Sequence, residues 1–375
     1  MNEFRSKTLT LEDSIDSVYE MFYKQGWTDG LPIVPPTKER VAAMISTVGK
    51  PASEGIAVLP PKMGEATIEK LAINSVMAGC LPSYFPVIVA AVEALADPTF
   101  DLASMNTTTS ATSPMLILNG PVRQLLDVNC GWGLLGPGWR ANATIGRAIS
   151  LIMLNIAGRV PGEVSKAVIG FPGRYGMCIG EREEGSPWEP YHVEKGFHRD
   201  ESTVTVVSPC GAHPLEAPLE NNAEELLTTL AGALHLPLLI NVCPWWGLGE
   251  VVLIIGPDHA RILAEGGFSK QDVKQYFYEH TQDIPLSFFS ESLIGDMVSA
   301  DNGERLAGVS RRKMVESGLI REGQRQVTDK GVALAARPDQ FLIIVGGGDG
   351  RIHSAFLPTF GDSFAVTRSI ALKAE

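Results

Sequence analysis

The chain has 375 residues and a formal net charge of −12, with 31 Lys and Arg against 43 Asp and Glu. Its length allows one large or two ordinary domains of roughly 150 residues each. A hydrophobic content of 45% with only 20% charged residues indicates a sizeable buried core and excludes a disordered chain. The acidic balance excludes nucleic acid and anionic membranes as partners, because phosphate groups bind basic surfaces.

The longest apolar runs are strand-sized, far below the roughly 20 residues that a membrane span needs. The first residues also lack the apolar core of a secretion signal. The five cysteines are odd in number and widely scattered, at Cys80, Cys130, Cys178, Cys210 and Cys243. This pattern favours free thiols in a reducing cytoplasm over a disulfide framework. We therefore expect a cytoplasmic protein, and we expect it to form a homo-oligomer.

The first half of the chain alternates helical and strand-like patterns. Taken in chain order, they predict a helix over 11–25, a rigid Pro- and Gly-rich loop over 26–37, a helix-rich segment over 67–95, a strand over 100–105, a polar loop over 106–113 and a second strand over 115–118. A Gly-Pro pair follows at 120–121 and opens a further helix.

The same order of elements recurs later in the chain. A helix over 223–234 precedes a strand over 237–242, a loop over 243–249, a strand over 251–255, Gly-Pro at 256–257 and a helix over 259–264. We therefore predict an internal duplication of a helix-strand-loop-strand-helix unit. A third apolar strand, 341–345, ends in a glycine-rich exit.

These elements predict an α/β fold with mixed or parallel sheets and flanking helices. We expect an N-terminal domain over 1–215 and a C-terminal domain over 216–375, the latter with a polar surface insertion near 301–336. Ligands of such sheets tend to bind beyond strand ends. The loops 106–113, 243–249 and 346–354 are therefore candidate site walls, with Asn106 and Trp245 as candidate substrate-binding residues.

A loop with four glycines runs into a predicted helix within residues 129–147. A helix N-terminus after such a loop can bind a carboxylate or phosphate, because it exposes backbone N–H groups. The candidate anion-binding residues are Arg140, Asn142, Thr144 and Arg147. The segment matches no nucleotide-binding motif. The alternative is a tight turn and a buried helix, with the arginines paired to nearby carboxylates.

The segment 170–198 concentrates carboxylates, imidazoles and aromatic bulk. Such side chains carry general acid–base chemistry when burial moves their pKa values towards neutrality. The candidate catalytic residues are Glu181, Glu183, His192 and Cys178, with Trp188 as a candidate substrate contact. The alternative is a solvated acidic loop. We expect the loops 106–113, 129–147 and 178–198 to line one pocket.

Cys210 follows the β-branched strand 203–207 and precedes His213 by three residues. It could be a thiolate nucleophile with its base, while a buried structural cysteine is the alternative. The chain has no CxxC motif, so neighbouring cysteines cannot form a dithiol redox centre. A divalent metal is the cofactor that these donors could bind, although their spacing is not a standard one, with His192, His198 and His213 as candidate ligands.

Several longer motifs together resemble a group of bacterial proteins related to the UGSC-motif (seleno)protein family. They are WTDGLPIVPPT (27–37), AINSVMAGCLPSYFPVIVAAVEAL (72–95), GPGWRANATIGRA (136–148), EREEGSPWEPYHVEKGF (181–197) and HSAFLPTF (353–360). The resemblance covers most of residues 11–370 and implies a reactive cysteine in a UGSC box. This chain has no such box; its nearest cysteine contexts are SPCG at Cys210 and NCG at Cys130.

The residues favour an enzyme that acts on a small anionic molecule by acid–base or cysteine-assisted chemistry, as a lyase, hydratase or hydrolase does. Reactive polar residues in loops shaped by glycine and proline support this interpretation. Two alternatives remain open. One is a thiol-dependent oxidoreductase, suggested by the free cysteines and the resemblance. The other is a non-catalytic small-molecule binding protein.

Overall fold

The computed structural model describes residues 4–12, 14–217, 222–236, 248–304, 312, 315–316, 318, 321–350, 352–361 and 363–372. The α-helices are α1 Ile15–Lys24, α2 Lys38–Ile45, α3 Ile68–Ala78, α4 Phe85–Leu95, α5 Leu102–Thr107, α6 Val122–Leu125, α7 Arg140–Asn155, α8 Tyr191–Glu194, α9 Ala223–Ala233, α10 Pro257–Glu265, α11 Lys270–Glu279 and α12 Glu291–Asp301. The strands are β1 Gly55–Leu59, β2 Gly64–Thr67, β3 Met115–Asn119, β4 Met177–Gly180, β5 Thr203–Val207, β6 His213–Glu216, β7 Val251–Ile255, β8 Phe341–Val345, β9 His353–Pro358 and β10 Val366–Ser369.

The larger strands form two mixed four-stranded sheets. The first sheet has the order β10-β5-β3-β4, in which β3 is parallel to β4 and antiparallel to β5. The second has the order β6-β9-β7-β8, in which β7 is parallel to β8 and antiparallel to β9. The predicted α/β fold with mixed sheets and flanking helices is confirmed.

The two sheets pack face to face between two layers of helices. Met115 and Ile117 of β3 lie in one buried cluster with Val252 and Ile254 of β7, whereas Leu116 of β3 faces the opposite way into a cluster with α3, α4 and α7. The outer face of the second sheet packs in the same way on α9 and α11. Strands buried on both faces need apolar residues at every position. This explains why the strands were visible as continuous apolar runs.

The halves of the chain exchange edge strands. The chain leaves β5 in the first sheet and enters β6 in the second, while β9 in the second sheet leads to β10 in the first. The backbones of Pro209 and Thr359 form a β-bridge between the two connections. The expected domain boundary at 215 therefore falls inside β6. The two sheets share one strand topology, and the internal duplication remains a prediction.

Two local expectations were wrong. The segment 100–105 is helical, with a short 3₁₀ turn at Pro98–Phe100 followed by α5. The carboxylates of Asp97 and Asp101 accept backbone N–H groups of these turns, so capping outweighs the apolar content of the segment. Residues 332–336 are buried, with exposures of at most 3%, and do not belong to a surface insertion.

The predicted strand 237–242 and residues 243–247 of the predicted loop lie outside the described residues. Within the described part of the chain, every helix is too short or too polar to cross a membrane.

Candidate functional site

Polar side chains meet where β3 and β4 end. We call Asn119, Arg123, Glu181, Glu183, Glu184 and His192 the carboxylate cluster. One oxygen of Glu181 accepts the Asn119 amide at 2.6 Å and the backbone N–H of Tyr191 at 2.8 Å. Glu183 accepts the same amide at 3.1 Å and the backbone N–H of Gly120 at 2.7 Å. Two carboxylates are therefore held together by donors from neighbouring strand ends.

Two cations balance part of this negative charge. Arg123 Nη2 lies 2.9 Å from an oxygen of both Glu183 and Glu184. Lys270 Nζ lies 3.9 Å from Glu181 Oε1. Burial raises the pKa of the Glu181 carboxyl, and the opposing effect of Lys270 does not cancel it. The hydrogen bond from Arg123 lowers the pKa of Glu184.

The cluster is buried at one end and open to solvent at the other. Asn119, Glu181 and His192 are each 0% exposed, whereas the Glu184 side chain is 64% exposed. Asn119 Oδ1, Glu181 Oε1 and His192 Nδ1 have no hydrogen-bond partner among the described residues, and His192 Nδ1 lies 4.0 Å from Glu183 Oε1. The structure thus brings the predicted residues Glu181, Glu183 and His192 together. Their catalytic role remains a prediction.

The two arginines at the start of α7 are engaged with the protein itself. Both Nε and Nη2 of Arg147 lie 2.8 Å from the carboxylate of Asp29, in the Pro- and Gly-rich loop. Arg140 is exposed and donates to the Gly79 carbonyl at 2.9 Å. The structure therefore favours the alternative interpretation, in which this helix start is structural and Asp29 supplies the carboxylate.

The neighbouring polar residues also bond to the backbone. The Asn142 amide donates to the carbonyls of Asn129 at 3.1 Å and Cys178 at 3.0 Å. Thr144 Oγ1 donates to the Arg140 carbonyl one turn earlier at 2.8 Å. Asn142 thus ties the glycine-rich loop to β4, and neither side chain has a free group for a ligand.

Three other candidates are structural or lie outside the described residues. Cys178 is buried in β4, and burial raises the pKa of its thiol, which makes it a poor nucleophile. Trp188 donates its indole N–H to the Phe268 carbonyl at 3.1 Å. Trp245 lies outside the described residues.

The candidate metal ligands are not brought together. His192 Nε2 donates to the Arg199 carbonyl at 3.2 Å. His198 is exposed and lies 3.6 Å from Asp200. His213 lies in β6 beside the ring of Phe356. The described residues contain no group of three or more His, Cys, Asp or Glu side chains that could hold a metal ion.

A second polar region lies at the opposite end of the first sheet, where β3 and β4 begin. We call Asn106, Ser110, Thr112, Ser113, Arg159, Ser165, Arg174, Ser208 and Cys210 the amino-edge site. Arg159 is only 6% exposed, and the one polar contact of its guanidinium with a described residue is Met105 Sδ at 4.0 Å. Burial, together with the charge of the neighbouring Arg174, lowers the pKa of Arg159 to about 9.

Arg174, just before β4, has neutral partners. Its guanidinium donates to Ser165 Oγ at 2.7 Å and to the Thr112 carbonyl at 3.5 Å. Burial lowers its pKa as well. No carboxylate of a described residue pairs with Arg159 or Arg174. The amino-edge site therefore holds two positive charges without a counter-ion in the part of the chain that the structure describes.

Hydroxyl groups and one thiol line the same region. The Ser113 N–H donates to the Pro209 carbonyl at 3.1 Å, which places the loop 106–113 beside the exit of β5. There Ser110 Oγ lies 3.5 Å from Cys210 Sγ. The hydroxyls of Ser113 and Ser208 are buried and form no hydrogen bond with any described residue.

Cys210 is half-buried. Burial raises the pKa of its thiol to about 11, and hydrogen bonds from Ser110 and Thr112 only partly oppose this. The Cys210 side chain is therefore a protonated thiol at neutral pH.

Asn106 follows Met105, whose Sδ contacts the Arg159 guanidinium. Its amide nitrogen donates to the Pro60 carbonyl at 2.9 Å and lies 3.8 Å from Met153 Sδ, while the backbone N–H of Arg159 donates to the Met153 carbonyl. These contacts fix the orientation of the amide. Asn106 Oδ1 is buried and has no hydrogen-bond donor within the described ranges.

The expected single pocket was wrong. The loop 106–113 precedes β3, whereas the carboxylate cluster follows it. The five residues of β3 separate the two regions by roughly 13 Å, at about 3.3 Å per residue. Sequence reasoning identified Asn106 and Cys210 but missed Arg159 and Arg174.

No family model matches the chain, and no curated protein sequence is significantly similar to it. The resemblance to the UGSC-motif family rests on the motifs alone and remains a prediction.

Proposed function

We propose that the protein is an enzyme that binds a small anionic molecule at the amino-edge site and acts on it by acid–base chemistry. The observation that carries this proposal is Arg159, a guanidinium that is 6% exposed and has no carboxylate partner among the described residues. An uncompensated buried charge costs several kcal/mol. Unpaired buried charges occur at functional sites, where a ligand supplies the opposite charge.

Cys210 is the group best placed to take part in a reaction. Its thiol, with a pKa of about 11, is a proton donor at neutral pH, whereas a nucleophile would need the thiolate. A thiol beside an anion site can protonate a leaving group or a carbanion next to a bound carboxylate. This chemistry favours the lyase or hydratase type over a hydrolase or oxidoreductase that depends on a thiolate.

Ligand-induced thermal stabilisation tests the proposal. We expect small anions such as malate or phosphate to raise the melting temperature of the wild type, because a ligand that binds only the folded state stabilises it. The variant Arg159→Met should lose this response. Arg140→Met removes an exposed arginine outside the site and is the matched control, which should respond like the wild type. An unchanged response in Arg159→Met would contradict the proposal.

A non-catalytic binding protein would use the same residues, and Cys210→Ser distinguishes the two functions once a substrate is known. Turnover should fall in this variant while binding is retained. Full turnover in Cys210→Ser would contradict the role of the thiol in the reaction, although the proposed binding site would stand.

A further inference from the structure

The charge of the amino-edge site indicates what its ligand must carry. Arg159 and Arg174 contribute two guanidinium groups, and neither forms an ion pair with a described carboxylate. The nearest acidic residue along the chain, Glu163, is exposed and lies 3.6 Å from Lys62. A monoanion would leave one of the two buried charges uncompensated, and an unpaired buried charge destabilises the complex. Two negative charges on the ligand would balance both.

The unpartnered polar atoms have different requirements. The hydroxyls of Ser113 and Ser208 can each donate to an anionic oxygen. Asn106 Oδ1 can only accept, and its amide nitrogen is already directed at Pro60 and Met153. A buried acceptor without a donor costs about 1–3 kcal/mol. A ligand that also carries a hydroxyl hydrogen would satisfy this atom.

We propose that the ligand of the amino-edge site carries two negative charges and a hydroxyl group, with Arg174 selecting the second charge and Asn106 selecting the hydroxyl. This inference rests on the proposed function and deepens it. Hydroxy-dicarboxylates and phosphate monoesters of polyols share this chemistry.

Isothermal titration with matched probes tests the inference. Malate carries two carboxylates and a hydroxyl, succinate lacks the hydroxyl, and acetate carries one charge. Glycerol 3-phosphate represents the phosphate monoesters of polyols. We expect malate or glycerol 3-phosphate to bind wild type roughly tenfold or more tightly than acetate, because charged hydrogen bonds contribute about 1.5–3 kcal/mol. Malate should bind at least roughly fivefold more tightly than succinate, the loss expected when one buried acceptor stays unsatisfied. Whichever of malate and glycerol 3-phosphate binds more tightly identifies the class of ligand, a hydroxy-dicarboxylate or a phosphate monoester.

Two variants assign the selectivity to residues. Arg174→Met should reduce the preference for dianions over acetate, and Asn106→Leu should abolish the preference for malate over succinate while acetate binding persists. Equal wild-type affinities for malate, succinate and acetate would overturn the inference, and so would preferences that survive in both variants. If acetate binds as well as the dianions and Arg159→Met abolishes its binding, only this inference fails. If none of the probes binds wild type, the proposed function fails with it.

Discussion

Replacing Arg159 by methionine should stabilise the ligand-free protein. Methionine keeps an unbranched stem that can pack beside Met105, and it removes a charge that the fold does not compensate. Burial and the neighbouring Arg174 lower the pKa of Arg159 to about 9, well below the ordinary value of an arginine. At about 1.36 kcal/mol per pKa unit, a lowering of this size corresponds to several kcal/mol of unfavourable free energy for the charged form. We expect a gain of a few kcal/mol in the free energy of unfolding.

Urea denaturation at pH 7 in a buffer without polyvalent anions measures this gain directly. Arg147→Met is the matched control, because Arg147 has the carboxylate partner that Arg159 lacks. Its removal leaves Asp29 half-buried and unpaired, so this variant should lose about 1–3 kcal/mol. A clear loss of stability in Arg159→Met, comparable to that in Arg147→Met, would refute the idea that Arg159 is retained for a ligand.

Three further predictions concern other parts of the molecule. Burial raises the pKa of Glu181 above the ordinary value of about 4.5. Between these two values the Glu181 carboxyl keeps its proton in the folded protein and loses it in the unfolded chain. The contribution of Glu181 to stability should therefore decrease as pH rises from the ordinary value through the folded pKa. Urea unfolding at pH 5 and pH 7.5 measures this effect. The free energy of unfolding should fall less between the two pH values in Glu181→Gln than in wild type. In Cys210→Ser, turnover should fall by roughly 10²-fold or more, because the variant lacks the general acid. Its substrate affinity should stay within about threefold of wild type. Cys178→Ser should retain turnover, and equal rates in both variants would contradict the role of Cys210. Gly146→Ala should lower stability by about 1–3 kcal/mol in thermal unfolding, because the new Cβ would lie 2.6 Å from the Met177 nitrogen; an unchanged melting temperature would refute this.

The strands of the sandwich were predictable because their residues are apolar on both faces. Runs such as 251–255 and 341–345 carry that signal locally. The segment 100–105 carried a weaker one and was overruled by the capping carboxylates of Asp97 and Asp101. The capping residues Asp97 and Asp101 are themselves visible in the sequence.

The candidate site was less predictable, because it depends on pairs that form across long separations. Arg147 and Asp29 are 118 positions apart, so their ion pair could not be read from the sequence. Arg159 is informative because no described carboxylate pairs with it, and only the folded chain shows this. The carboxylate cluster was recognisable, because Glu181, Glu183 and His192 lie close together in the sequence.

The central claim is that Arg159 binds the charge of a small anion. The most direct test is the dissociation constant of malate, measured by isothermal titration for wild type and for Arg159→Met. Loss of a buried charge-assisted interaction should weaken binding by roughly 10- to 100-fold. Binding of malate to the variant with the affinity of wild type would contradict the claim.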